Sequence, residues 1–421
     1  MGAGRRNFMM GMAALGAATV NRRAQAASSC RPHEPVKTGF TVMRDAGYQA
    51  LRGRKLGLIA NPTSVDERLR HIADVLHATP NVRLTAIFGP EHGFRGTAQA
   101  GFSEKRSSDP RTGISVYDIY TINGPALDAV FRASGVDLMV FDIQDVGARF
   151  YTYIWTLFDS MAACARTGIE ILVLDRPNPI SGRPASGPVL DPALSSFVGR
   201  APIALRHGMT IGELARLFNT AFIPRMAGRA ARLSVIPMRG WTRDLYYDET
   251  GLPWVPPSPN MPMVETALAY PGTCLFEGTG LSVGRGTAAP FLTLGMPDTP
   301  EDRPWAERVM AMNLPGCLFR ECWFTPGSDA FAKRLCHGLQ LVLTDRTRFD
   351  AVLTGFALLR SAPGRQQPDF WRSGGKTFDI LSGQRNLRTM LDRNASLPDI
   401  IASWQGDLRR FETLREAHLL Y

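Results

Sequence analysis

The chain has 421 residues, 44% hydrophobic and 20% charged, the balance of a soluble globular protein of two ordinary domains and not of a disordered one. Its net charge is +10, but residues 1–26 hold four arginines and no acid, which leaves +6 for the remainder. With no lysine–arginine block or basic–aromatic ladder beside that charge, nucleic acid is not an expected partner.

In chain order, Arg5-Arg6, the uncharged apolar stretch Met9 to Val20 and the small-residue site Ala24-Gln25-Ala26 predict an export signal of the twin-arginine type over residues 1–26. The stretch is short for a membrane span, so the mature chain is expected outside the cytoplasm, periplasmic or extracellular, without a transmembrane segment. Cys30 offers a lipid-anchoring site, although an alanine stands where such sites usually carry leucine. From Lys55 to about Met238, strand-like apolar runs alternate with amphipathic helical ones. Leu56–Ala60, Val82–Phe88, Ile114–Ile119, Asp137–Phe141, Glu170–Leu174 and Leu233–Ile236 are the strands. Leu69–His77, Ala126–Ala133, Thr152–Arg166 and Thr210–Phe222 are the helices, the last opening on a capping box from Thr210 to Glu213. Continuous apolar strands between helices predict an α/β fold, a Rossmann-like parallel sheet over residues 37–250, with a (β/α)-barrel as the alternative. The proline-rich stretch Thr250 to Pro262 reads as a rigid crossing, its Trp254 able to wall a cleft. Residues 260–421, with a strand at Leu339–Leu343 and helices at Phe349–Leu359 and Leu397–Leu408, form a smaller α+β domain that closes that cleft.

Polar groups follow the parallel strands: Asn61, then Glu91-His92, then Asp142, then Asp175. In such a sheet all these ends share one edge, where ligands bind. Gly89-Pro90-Glu91-His92-Gly93-Phe94-Arg95-Gly96 is the densest of them, a carboxylate, an imidazole and a guanidinium in a glycine-bounded turn. A second glycine-rich stretch, Phe276 to Thr287, brings Glu277 and Arg285. Two carboxylates on separate loops point to acid–base chemistry; the competing reading is a pair of loop glutamates in salt bridges. Arg149, Tyr151 and Tyr153 stand at the start of the Thr152 helix, where an anion is favoured and an arginine can hold a carboxylate; for Tyr153 and Trp155 core packing is the alternative. His92, His207 and Glu91 lack the spacing of a metal site, and the six cysteines lack that of a zinc site, so neither metal nor cofactor is expected.

The runs Gly57 to Ser64, Gly89 to Gly96, Phe141 to Tyr153, Leu174 to Pro179, Arg206 to Thr210, Trp254 to Asn260 and Phe276 to Thr287 resemble the NamZ-type exo-β-N-acetylmuramidases. The resemblance spans nearly all of the mature chain. It implies a Rossmann-like domain, a smaller carboxyl-terminal domain and a cleft between them. It also implies release of terminal β-linked N-acetylmuramic acid from peptide-free peptidoglycan strands, with MurNAc-GlcNAc as a substrate. Position by position, the implied site includes Asn61, Glu91, His92, Arg149, Tyr151, Tyr153, Asn260, Glu277 and Arg285. Glycosidases commonly work with two carboxyl groups. Glu91 is the first choice for general acid, with His92 beside it and Glu277 as base or stabiliser; Asp142 is the reserve. Arg149 and Arg285 are the candidates for the sugar's lactyl carboxylate. Nucleophilic participation by the sugar's own acetamido group stays open, and a non-catalytic envelope protein that binds muropeptides is the rival class.

Overall fold

Apolar runs that do not alternate with polar residues need burial on both faces, and here they build one sheet sandwiched between helices. The computed structural model describes residues 35–99, 101–297 and 304–421; the expected export signal and Cys30 lie outside the described residues. The strands are β1 (Lys55–Ala60), β2 (Arg83–Gly89), β3 (Ser107–Ser108), β4 (Ser115–Asp118), β5 (Leu138–Asp142), β6 (Glu170–Leu174), β7 (Ser186–Val189), β8 (Ala204–Arg206) and β9 (Leu233–Ile236). Seven of them form a sheet in the order β3-β4-β2-β1-β5-β6-β9, parallel throughout except for the two-residue edge β3. The sheet is open at β3 and β9, so the barrel alternative fails.

Alternate residues of the central strands go to opposite faces. Ile59, Phe88, Met139, Phe141 and Val173 pack under the helices Gly124–Ser134, Tyr153–Thr167 and Ile211–Ala221. Leu58, Ile87, Val140 and Leu172 meet the helices Gly39–Asp45 and Ile72–Ala78. Thr210 and Glu213 form the expected capping box. Trp155 is fully buried and stacks on Phe218, so core packing is its role.

The later part of the chain carries a three-stranded antiparallel sheet of β10 (Thr293–Met296), β11 (Cys317–Phe324) and β12 (Cys336–Leu343), in the order β10-β12-β11. The single helix expected over Leu397–Leu408 is two, Leu397–Ala402 and Gln405–Glu416, because Trp404 turns into the core against Phe356. The helices Val264–Thr273 and Ala351–Ser361 touch at Gly272 and Gly355, where a Cβ on Gly272 would stand 1.9 Å from the Ala351 carbonyl oxygen. The Cys274–Gly278 turn, which carries Glu277, follows directly after that close approach. Cys164, Cys274, Cys317, Cys322 and Cys336 are all buried free thiols.

The last residues return to the large sheet. Tyr421 donates its hydroxyl to Asp175 Oδ2 at 2.7 Å, and Leu420 donates its N–H to Glu213 Oε1 at 2.8 Å. Asp175 also accepts from the Thr210 hydroxyl and the Gly212 N–H. Burial pushes its carboxyl up to about 7, against the pull of those donors. The folded state therefore keeps a proton that the unfolded chain releases near pH 4, so this group's contribution to stability falls as pH rises from about 4 to about 7. Urea unfolding of Asp175→Asn beside the native protein tests this: the native advantage is expected to shrink between pH 5 and pH 8. A gap that stays constant over that range would show that Asp175 does not titrate there.

Candidate active site

After β2 the backbone reverses through His92 and Gly93, with φ of 70° and 80°, left-handed values that glycine adopts freely and histidine seldom does. The turn presents Glu91, which is half-buried with both carboxyl oxygens engaged. Oε1 accepts the Gly101 N–H at 2.9 Å, and Oε2 accepts the Thr152 hydroxyl at 2.7 Å. The Tyr120 hydroxyl also bonds to Glu91; burial first, then the Glu91 charge, raise its pKa, which keeps it neutral. Thr152 is the N-cap of the Tyr153–Thr167 helix, yet its side chain makes no capping bond and serves Glu91 instead. The carboxylate at this helix start is thus the chain's own. Hydroxyls can turn from donor to acceptor, so Thr152 and Tyr120 can hold Glu91 in either protonation state.

Glu277 faces the same space from the later part of the chain. Its Oε1 accepts from Arg285 Nε at 2.6 Å, with Arg285 Nη2 also at 2.6 Å. Burial works against the Arg285 charge, but Glu277 more than offsets it and the pKa of Arg285 is raised. The Arg285 guanidinium lies 5.0 Å over the Phe291 ring. The salt-bridge reading of this glutamate is therefore met, but the pair is not sealed: the side chains keep 20% and 18% exposure.

Two connected chambers share Glu91, Glu277, Arg285, Val198 and Leu381. The inner one, of 170 Å³, is walled by aromatic rings, among them Tyr151, Tyr153, Tyr270 and Phe291, and includes His92. The outer one, of 1010 Å³, adds Asn260, Phe102 and Arg372. Tyr151 and Tyr153 meet edge to face at 5.2 Å, and burial raises the pKa of both. Tyr153 donates to the Pro257 carbonyl at 2.7 Å, which ties the proline-rich crossing to the helix. The His92 ring nitrogen Nδ1 bonds the Ala98 carbonyl at 3.1 Å, which leaves Nε2 as the nitrogen available to a ligand. Asn260 Oδ1 accepts the Gly286 N–H at 3.0 Å and so pins the Arg285 loop.

Four expectations are corrected. Arg149 is fully buried and meets no carboxylate; its guanidinium donates to the carbonyls of Pro188, Ile203 and Leu381 at 2.7, 3.1 and 2.9 Å. Without a counter-ion, burial pushes its pKa down to about 9. Asp142 is fully buried under a two-pronged bond from Arg176, and burial raises its carboxyl against that pull, so it is no reserve acid. Asn61 is sealed in its own turn, its carbonyl oxygen on the Thr63 N–H and hydroxyl, and it reaches the chamber only through the Tyr153 hydroxyl beside it. Trp254 packs on Tyr247 and borders neither chamber. Asn61 and Asp142 share a cause: the sheet edge between β1 and β5, where the strand order reverses, is filled by the Asp142–Arg176 pair and the turn after β1. The open space lies above β2 instead. His207, on Asp145 at 3.1 Å, is likewise buried and lines neither chamber.

The sequence reading missed Thr152, Tyr120, Tyr270 and Phe102. Thr152 had a usable signal, an N-cap residue type directly before a helix; the others had none, since their place depends on contacts with segments far along the chain.

Residues 56–265 match the family described as exo-beta-N-acetylmuramidase NamZ, N-terminal, and residues 268–421 its C-terminal counterpart. The peptidoglycan beta-N-acetylmuramidase NamZ of Bacillus subtilis (strain 168) is 40% identical over 415 residues, 98% of each chain. Two crystal structures of DUF1343 family proteins from Bacteroides fragilis NCTC 9343 are each 32% identical, with 92% of this chain and 99% of theirs covered. Their TM-scores are 0.83 and 0.72. With both halves of the family matched in order and a relative alike over its whole length, the chain belongs to the NamZ exo-β-N-acetylmuramidase family.

Proposed function

We propose that the two-chamber cavity is the active site of an exo-acting glycosidase that releases terminal β-linked N-acetylmuramic acid from peptide-free peptidoglycan chains, MurNAc-GlcNAc being a sufficient substrate. The observation that carries this reading is that Glu91 and Glu277, from distant parts of the chain, border both the narrow inner chamber and the wide outer one. A narrow aromatic chamber suits one terminal sugar, while the rest of the polymer stays in the open space outside.

In this reading Glu91 gives its proton to the bridging oxygen. The C1–O bond breaks, its electron pair leaves with the departing saccharide, and positive charge develops on C1 and the ring oxygen. The Glu277 carboxylate stabilises that charge. Water then supplies hydroxyl to C1 and its proton restores the acid, so the cycle closes without a cofactor. With Arg149 buried away, Arg285 is the cation left in both chambers for the lactyl carboxylate, and His92 Nε2 is a second polar contact. The amino-terminal export signal delivers the enzyme to the periplasm or the cell exterior, where its polymer lies.

The test is incubation of the purified mature protein with a chromogenic β-N-acetylmuramide and with the matching N-acetylglucosaminide. Release from the muramide is the expected result. Cleavage of the glucosaminide alone overturns the sugar assignment, and tight muropeptide binding without any release favours the non-catalytic rival.

A further inference from the structure

Phe102 borders the outer chamber and not the inner one, and it is 68% exposed. An exposed phenylalanine by itself means little. This one is registered on the reacting groups through its backbone. Its carbonyl accepts the His92 N–H at 2.9 Å, its N–H donates to the Gln99 carbonyl at 3.1 Å, and its neighbour Gly101 donates to Glu91 Oε1 at 2.9 Å. The backbone that carries the ring is therefore tied to the turn of the carboxyl that protonates the bond.

The later part of the chain supplies the other wall. Arg372 and Asp329 line the same chamber, and their pair is long, 3.4 Å, and about one-third exposed on both sides. An apolar ring on one wall and loosely paired polar groups on the other match the two kinds of surface a pyranose has, an apolar C–H face and a rim of hydroxyls.

We propose that the outer chamber is a subsite for the departing saccharide, an N-acetylhexosamine, with Phe102 stacked on the ring next to the broken bond and Arg372 and Asp329 meeting its hydroxyls. This rests on the glycosidase reading above and adds a residue that sets preference for the leaving group. Phe102 lines the outer chamber alone, so the contribution of its ring scales with the size of the saccharide held there.

The experiment compares Phe102→Ala and Phe102→Trp with the native protein on two substrates, the disaccharide MurNAc-GlcNAc and methyl β-N-acetylmuramide. A stacked ring contributes roughly 0.5–1.5 kcal/mol, so in Phe102→Ala the ratio of kcat/KM for disaccharide over methyl glycoside is expected to fall about three- to tenfold. The fall should sit in KM, and Phe102→Trp should restore the ratio. An unchanged ratio in Phe102→Ala, with the native protein active on both substrates, overturns the subsite and leaves the glycosidase reading standing. A native protein that cleaves neither substrate overturns that reading, and the subsite with it.

Discussion

Glu91→Gln is expected to lower kcat by about a thousandfold, near the middle of the range for loss of a general acid. Glutamine matches glutamate in size and keeps a carbonyl oxygen for the Gly101 N–H. Its amide nitrogen can donate to Thr152, whose hydroxyl turns round to accept. Stability is then expected to change by less than about 1 kcal/mol, the usual range for a change that leaves no buried group unpaired. The proton is what goes missing, so kcat and kcat/KM should fall together while substrate binding survives. Steady-state kinetics on MurNAc-GlcNAc, whose departing sugar hydroxyl needs that proton, alongside thermal unfolding, reads both quantities. Activity within a few-fold of native would remove Glu91 from its role. A collapse in melting temperature would recast it as a support for the Gly101 loop.

Arg149→Met is expected to act in the opposite way, on stability and not on recognition. The guanidinium is the joint donor for three buried carbonyls, two in the Pro188–Ile203 segment and one at Leu381. Leu381 and Val198, which lies within that segment, border both chambers, so Arg149 holds a wall of the site without touching its contents. Leaving buried acceptors unpaired costs about 1–3 kcal/mol each, partly recovered by relaxation, so a loss of about 3 kcal/mol is expected in denaturant unfolding. Arg149→Lys should rescue little, because a single ammonium on a flexible stem lacks the planar fork that reaches three carbonyls in different directions. The discriminating readout is the muramide to glucosaminide preference. It should survive in Arg149→Met; a collapse while the melting temperature holds would assign the arginine to the lactyl carboxylate and not to the wall.

The two cases show why one part of the reading from sequence succeeded and another failed. Glu91 and Arg149 both sit in conspicuous polar clusters after a strand, in runs that resemble those of the same enzyme family. Only the first faces solvent. The arginine of Glu91's own loop, Arg95, is taken up by Asp74 and Asp109 and leaves the glutamate free, whereas Arg149 starts a segment whose carbonyl partners come from residues 188, 203 and 381. Asp142 failed for the same reason, its arginine lying on the next strand end at Arg176. Glu277 lies between these cases, paired with an arginine eight residues on in its own loop and still open to the cavity.

The sequence by itself determined the sheet: unbroken apolar runs must be covered on both faces, so β1, β2, β5, β6 and β9 were legible to within a residue or two, with the glycine-bounded loops that follow them. Sequence also determined the family, through the ordered motifs from Gly57 to Thr287. Only the tertiary structure decided which charged groups face the cavity and which are consumed in holding it. Burial is a property of distant segments closing over a side chain, and hydrogen-bond partners tens to hundreds of residues away leave no mark on the local pattern. Thr152 and Tyr120 meeting Glu91, and three carbonyls meeting Arg149, are contacts of that kind.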